Sequence, residues 1–113
     1  MTLEYKFSQE DAVIALGATT SDVIRIYGKT IVGILTPVAM TGTGFSFMVS
    51  IDGTTYVPFY NPYGVAIETV HVVDAARHIG VEFEDFMGVN YVKLVSNDTE
   101  AAERTITLSL RTL

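Results

Sequence analysis

The sequence of 113 residues contains no cysteine and no tryptophan. Without cysteine the chain has no disulfide framework, no thiolate zinc site and no thiol chemistry. Without tryptophan it lacks the side chain with the largest face for stacking on sugar rings. A chain of this length forms one domain and can bury about two-thirds of its surface. We therefore expect one core that needs neither disulfides nor metal.

Charged residues are also scarce, at 18% of the chain against a usual value of about 25%. The 13 acidic and 7 basic residues give a net charge of −6, and the basic ones are scattered along the sequence. Scattered basic residues predict no nucleic-acid partner. Because 49% of the residues are hydrophobic, apolar surface should remain uncovered in a monomer. This excess predicts self-association, and we expect a homo-oligomer.

Long hydrophobic runs are missing. The N-terminal stretch MTLEYKFSQEDA is charged and lacks a basic segment followed by an apolar run, so we expect no signal peptide. The longest uncharged stretch, Thr30 to Ile51, is interrupted by Pro37 and several glycines. It predicts strands and turns, and no contact with a membrane.

What the chain does have is a succession of short alternating or β-branched segments separated by turn residues. This pattern predicts an all-β protein, a single-domain antiparallel β-sandwich that is jelly-roll-like. We assign residues 21–113 to the sandwich and residues 1–20 to an N-terminal arm or edge strand. The only helical candidates are the short segments 73–78 and 99–103. The strands are predicted at 4–7, 12–16, 22–27, 31–35, 45–51, 54–60, 65–73, 77–83, 90–96 and 104–110.

The segment FSFMVSIDGTTYVPFY, residues 45–60, predicts a hairpin turning at Asp52-Gly53. Apolar residues occupy both of its faces. One face is predicted to form the sandwich core, through Phe45, Phe47, Val49 and Ile51. The other face is predicted to contact a neighbouring subunit or a partner protein. Together with the aromatic turn that follows, the predicted interface residues are Met48, Val57, Phe59, Tyr60 and Tyr63.

No motif for catalysis, cofactor binding or metal binding emerges. His71, Asp74 and His78 are the nearest approach to a metal set, but their spacing matches no ligand motif. The acidic residues Glu82, Glu84 and Asp85 lack the pattern of a calcium loop. Residues 41–44 (TGTG) are Gly-rich without the ending of a phosphate loop. We predict a protein that is not an enzyme, with no cofactor and no metal.

Three motifs carry a resemblance to a known group of proteins. They are TG-x-x-FSF-x-VS-x-DG-x-TY-x-P from Thr41, F-x-G-x-x-Y-x-KL-x-S from Phe86 to Ser96, and AAERTITLSLR from Ala101 to Arg111. This order resembles the small β-sandwich virion structural proteins of tailed bacteriophages, which are capsid decoration (cement) or tail-associated proteins. The likeness covers roughly residues 20–111 and leaves the first 20 outside.

The resemblance implies a non-enzymatic protein that binds a capsid lattice and its own copies. The expected partners are the major capsid protein and further copies of this chain, with a trimer as the expected oligomer. The expected location is the capsid surface of the virion, after synthesis in the host cytoplasm. The alternative is a carbohydrate- or receptor-binding module of a tail fibre. It would need an exposed aromatic platform beside hydrogen-bonding groups such as Asn61 and Asp52.

Overall fold

A computed structural model describes residues 7–113, so residues 1–6 of the predicted arm lie outside the described residues, and with them all but Phe7 of the strand predicted at residues 4–7. Nine strands and one short helix are formed in this part of the chain. In chain order they are β1 (Phe7–Ile14), β2 (Ile24–Arg25), β3 (Lys29–Leu35), β4 (Gly44–Ser50), β5 (Val57–Pro58), β6 (Thr69–Val70), β7 (His78–Gly80), a 3-10 helix (Phe83–Phe86), β8 (Tyr91–Ser96) and β9 (Arg104–Thr112).

The strands form two antiparallel sheets. One has the order β1-β9-β3-β7, and the other has the order β2-β8-β4-β5, with β6 also paired to β4. Each sheet turns an apolar face towards the other, as in a sandwich. The predicted all-β antiparallel β-sandwich is therefore confirmed, while its finer description as jelly-roll-like stays a prediction.

The core lies between the sheets because inward positions alternate along each long strand. In β8 the buried residues are Val92, Leu94 and Ser96, and in β9 they are Ile106, Leu108 and Leu110. The fully buried Phe86 of the 3-10 helix fills one part of this space. Its ring meets the ring of Phe47 edge-on, with 5.2 Å between the centroids.

Residues 7–14 of the predicted arm or edge strand form β1, which pairs with β9 at the edge of its sheet. Ala12 and Ile14 are completely buried in the same core as the later strands. Strand β1 therefore contributes to the core of the sandwich as well as to its edge.

The predicted hairpin forms, but its two strands present different faces from those expected. Val57 of β5 pairs with Val49 of β4, and the amide of Phe59 donates to the carbonyl of Phe47 at 3.1 Å. Directly paired residues of antiparallel strands point to the same side of the sheet. Val57 and Phe59 thus share the inner face with Phe47 and Val49. The prediction that they lie on the opposite face is wrong.

The prediction of Ile51 as a core residue is also wrong. Phe45, Phe47 and Val49 are buried as expected, but the side chain of Ile51 is 75% exposed. Strand β4 ends at Ser50, and the chain turns at Asp52-Gly53. The alternation of a strand constrains a side chain only as far as the strand continues, so Ile51 is released to the surface.

Several other predicted segments are shorter than expected. Of residues 65–73 only those of β6 form a strand. Because β5 pairs with Met48 and Val49, β6 can pair with β4 only at Gly44 and Phe45. The candidate helices at 73–78 and 99–103 are wrong, since both segments are turns or extended chain. The helix that does form is the 3-10 helix at Phe83–Phe86.

The contrast between buried and exposed isoleucines yields a matched pair of substitutions. Ile34 of β3 is completely buried, so Ile34→Ala should lower the free energy of unfolding by about 2–5 kcal/mol. The same substitution at Ile51 should change it by less than about 0.5 kcal/mol. Urea denaturation of both variants measures the difference. A large loss of unfolding free energy in Ile51→Ala would show that this side chain is part of the core.

Candidate functional site

An apolar concavity of about 500 Å³ lies at the end of the sandwich where β4 meets the 51–56 loop. Ile51 and Val57 border it with exposed fractions of 75% and 52%. Its lining residues are Val49, Ser50, Ile51, Asp52, Thr55, Val57, Gly88 and Val89. A hollow with mainly apolar walls and few polar groups is typical of a site that receives an apolar side chain or ligand.

Asp52 shapes one rim of this concavity by ordering the loop. Its Oδ1 accepts hydrogen bonds from the amides of Thr55 at 2.9 Å and Thr54 at 2.8 Å, and from the Ser50 hydroxyl at 3.0 Å. The Thr55 amide, followed by the Thr54 amide and the Ser50 hydroxyl, lowers the pKa of the Asp52 carboxyl. The rim therefore carries an ionised carboxylate at neutral pH, in a loop that its own side chain holds.

The aromatic turn after β5 is also held by one side chain. Asn61 Oδ1 accepts from the amide of Tyr63 at 2.9 Å and from that of Val65 at 3.0 Å. Gly64 closes the turn at a φ of +79°, a conformation that glycine adopts without steric cost. Tyr63 is 89% exposed at the tip of this turn, and Tyr60 is 56% exposed at its start. The result is a preformed turn that presents a tyrosine to solvent.

The five predicted interface residues do not form one surface. Val57, Tyr60 and Tyr63 are exposed. Phe59 is partly buried and packs against the core, with its ring 5.1 Å from that of Phe86. Met48 is half-buried and lies on the outer face of its sheet, since its neighbours Phe47 and Val49 point inwards.

Two lining residues of the concavity escaped the sequence interpretation. Ile51 was assigned to the core, and Val89 received no role. The signal for Ile51 was available, because a residue immediately before Asp-Gly belongs to the turn. No comparable signal marks Val89, which reaches the concavity only because the 3-10 helix before it packs against the core.

A buried polar network at the other end of β4 was also not foreseen. The Glu100 carboxylate is buried and accepts from the amides of Thr41 and Gly42, each at 2.9 Å, and from the Ser96 hydroxyl at 2.7 Å. It also forms an ion pair with Arg104 at 3.0 Å. The amides of the Gly-rich 41–44 loop are therefore bonded within the chain, as buried polar groups require. They are not available to a phosphate.

The pKa of Glu100 reflects two opposed effects. Burial raises it, but the Thr41 and Gly42 amides, the Ser96 hydroxyl and the Arg104 guanidinium together lower it below the ordinary glutamate value. The carboxylate is thus ionised in the folded protein at neutral pH. It joins the loop before β4 to the ends of β8 and β9.

The histidines and acidic residues considered as metal ligands do not converge. Among residues 7–113 no group of three His, Asp or Glu side chains is placed to hold a metal ion. His71 is buried, and its Nε2 lies 2.6 Å from the carbonyl oxygen of Gly42. A carbonyl oxygen only accepts, so Nε2 carries the proton. His78 is exposed in β7, an edge strand of the sheet that β7 forms with β1, β9 and β3.

Comparisons with known proteins yield likenesses of fold only. No family model matches the sequence, and no curated protein matches it. In the part of the chain that the structure describes, no helix is long and apolar enough to span a membrane.

Solved structures similar to this chain include the following three. CBM32-1, a carbohydrate-binding module of a family 31 glycoside hydrolase from Clostridium perfringens, is 18% identical, with a TM-score of 0.49 over 90% of this chain and 75% of that one. The Yersinia pseudotuberculosis-derived mitogen is 9% identical, with a TM-score of 0.40 over 97% and 88%. A chain of the cyanophage Pam1 capsid asymmetric unit is 10% identical, with a TM-score of 0.40 over 95% and 82%. Likenesses of this degree transfer no ligand and no partner.

Gly53 provides a test of the loop that borders the concavity. Its φ is +81°, and a Cβ added there would lie 2.8 Å from the ring of Tyr91. Gly53→Ala should therefore cost at least about 1–2 kcal/mol of stability. Gly88→Ala is the control, because a Cβ there meets no atom within 4 Å. Thermal denaturation that ranks the two variants equally would contradict this account of the loop.

Glu100→Gln should destabilise the protein by roughly 1–3 kcal/mol for each buried donor that it leaves without an acceptor. Because folding lowers the pKa of Glu100, its contribution is complete above the unfolded value of about 4.3 and is lost as pH falls through the folded pKa. Urea unfolding of both proteins between neutral and acidic pH should show this acid-dependent component in the native protein only.

The matched control for this experiment is Glu103→Gln, the same change at an exposed residue three positions further along the chain. It should leave both the stability and its dependence on acid nearly unchanged. If native protein and Glu100→Gln lose stability in parallel between neutral and acidic pH, Glu100 does not carry the acid-dependent component.

Proposed function

We propose that this chain is a structural protein of a tailed-phage particle, a capsid decoration (cement) protein that binds the major capsid protein at the capsid surface. The observation that carries the proposal is the apolar concavity bordered by Ile51 and Val57, with the preformed Tyr63 turn following on the same hairpin. A rigid tyrosine and an apolar hollow are features of protein-binding surfaces. The resemblance of the sequence motifs to phage virion proteins agrees with them.

The distribution of polar groups supports a binding role over catalysis. In residues 7–113 no serine or threonine hydroxyl is hydrogen-bonded to a histidine, and His71 Nε2 is engaged by the Gly42 carbonyl. Glu100, the buried carboxylate, is fully engaged by four internal donors. A nucleophile needs a base within hydrogen-bond reach. The polar side chains of this protein instead hold its loops in place.

Many copies on a lattice would compensate for a small contact area on each molecule. One concavity of about 500 Å³ and one short turn make a local contact surface, whereas a standard complex buries roughly 800 Å² on each partner. If neighbouring copies also contact one another, each binding event raises the effective concentration for the next. The net charge of −6 keeps free copies soluble before attachment.

The alternative, a tail-fibre module for carbohydrates or receptors, receives less support from the hydrogen bonds. One oxygen of each polar residue expected beside its aromatic platform is already used within its own turn. Asn61 Oδ1 accepts from two backbone amides, and Asp52 Oδ1 accepts from two amides and a hydroxyl. A sugar would have to compete with these bonds or do without them.

The test is sedimentation of the purified protein with capsids of the phage that encodes it. Native protein should pellet with capsids at a saturable ratio, and Val57→Glu and Tyr63→Ala should each weaken binding by about tenfold or more. Both side chains are exposed, so circular dichroism and melting temperature should stay close to native. Folded native protein that remains in the supernatant would refute the decoration role.

The control is Val38→Glu, which makes the same change at a valine that is 69% exposed and does not line the concavity. It should bind capsids like the native protein. A glycan array probed with native protein and Tyr63→Ala tests the alternative. Glycan binding that disappears in Tyr63→Ala, together with no capsid binding, would establish the tail-fibre role instead.

A further inference from the structure

A second surface, away from the concavity, is a groove at the open edge of the sandwich. One wall is residues 66–72, which include β6, and the other is residues 77–82, which include β7. Strand β6 pairs only with β4 and β7 only with β3, so each is an edge strand of its sheet. We call this feature the edge groove. It consists of two hollows of about 400 and 360 Å³, and Val70 and Ile79 line both of them.

The two ends of the edge groove differ in charge. Glu68, Glu82 and Asp85 line the hollow at one end, and Arg77 and His78 line the hollow at the other. Between them lies Val70, a valine that is 82% exposed. The order along the edge groove is therefore acidic, apolar and basic.

Arg77 stands apart from the other basic side chains of residues 7–113. Arg25 and Lys93 lie over tyrosine rings, Lys29 donates to Ser8, and Arg104 pairs with Glu100. Arg111 also has an intramolecular interaction. The Arg77 guanidinium has no partner in this part of the chain, and it forms no ion pair with the nearby Asp74. Arginine is enriched at protein interfaces, where it finds carboxylates.

The three carboxylates at the other end of the edge groove also have no partner among the described residues. The side chains of Glu68, Glu82 and Asp85 make no hydrogen bond or ion pair with any described residue. None of them pairs with Arg77 of the same molecule. A second molecule, rotated by 180° about an axis through Val70, would bring its Arg77 to these carboxylates.

We propose that two copies of this chain associate through the edge groove as a two-fold symmetric dimer. Val70 meets its counterpart at the axis, and Arg77 of each copy pairs with Glu68, Glu82 and Asp85 of the other. A surface with opposite charges on either side of an apolar centre is self-complementary under a two-fold axis, which gives the isologous contact of most homodimers. No residue that lines the concavity lines the edge groove, although Asn61 at the start of the Tyr63 turn borders its acidic hollow. The proposed contact does not depend on capsid binding.

The first test is analytical ultracentrifugation of the native chain over a range of concentrations. A monomer–dimer equilibrium is expected, and raising the ionic strength should weaken it because salt screens the exposed charge pairs. Val70→Glu should weaken dimerisation by about tenfold or more, while the control Val23→Glu, at another exposed valine, should not. A monomer at every concentration, or the trimer that the resemblance to phage virion proteins implies, would overturn the proposal.

The second test is a pair of charge reversals. Arg77→Glu alone, and Glu68→Lys with Glu82→Lys, should each abolish self-association, because like charges then face each other twice. Mixing the two variants should restore a dimer, since the glutamate at position 77 of one copy then faces the lysines at positions 68 and 82 of the other. The native Arg77 faces native carboxylates, and Asp85 of the lysine variant is the one carboxylate left opposite a like charge. Glu103→Lys serves as the control for a lysine placed outside the groove. If the mixture stays monomeric, or if either variant still dimerises alone, the edge groove is not the contact.

Discussion

The register of strand β4 is the constraint on which the rest of the structure depends. It pairs with β8 along one side and with β5 and β6 in turn along the other. Phe45, Phe47 and Val49 therefore point into the core together, and Val57 points to the same side as Val49. A shift by one residue would exchange the two faces of the strand. The concavity forms because β4 ends at Ser50, whereas Val57 of the neighbouring strand β5 still points to the inner side of the sheet.

Polar side chains hold the loops at both ends of β4 in place, as the hydrogen bonds of the sheet hold the strand between them. Glu100 binds the amides of the loop before the strand, and Asp52 binds the amides of the loop after it. Both carboxyl groups have a lowered pKa, because backbone amides stabilise the ionised form. The same chemistry in an open site would bind an external anion. Here both carboxylates bind amides of the chain's own loops.

The two proposed contact sites lie on different parts of the surface and differ in chemical character. The concavity and the Tyr63 turn offer apolar shape with little charge, which suits a fixed partner surface. The edge groove offers charges of both signs around Val70, which suits another copy of the same chain. Both arise where the sandwich is incomplete, at the end of β4 and at the short edge strands β6 and β7. Exposed edges are where sheet proteins associate unless something covers them.

The sequence by itself determined the fold class, the hairpin at Asp52-Gly53 and the burial of Phe45, Phe47 and Val49, because alternation and turn chemistry are local properties. It also placed Tyr60 and Tyr63 around a turn. Only the tertiary structure decided that Ile51 is exposed, that Phe59 packs on Phe86, and that Glu100 closes the 41–44 loop. Those outcomes depend on where a strand stops and on which residues distant in sequence meet. Contacts between residues that lie far apart in the chain produce no periodic pattern in the sequence.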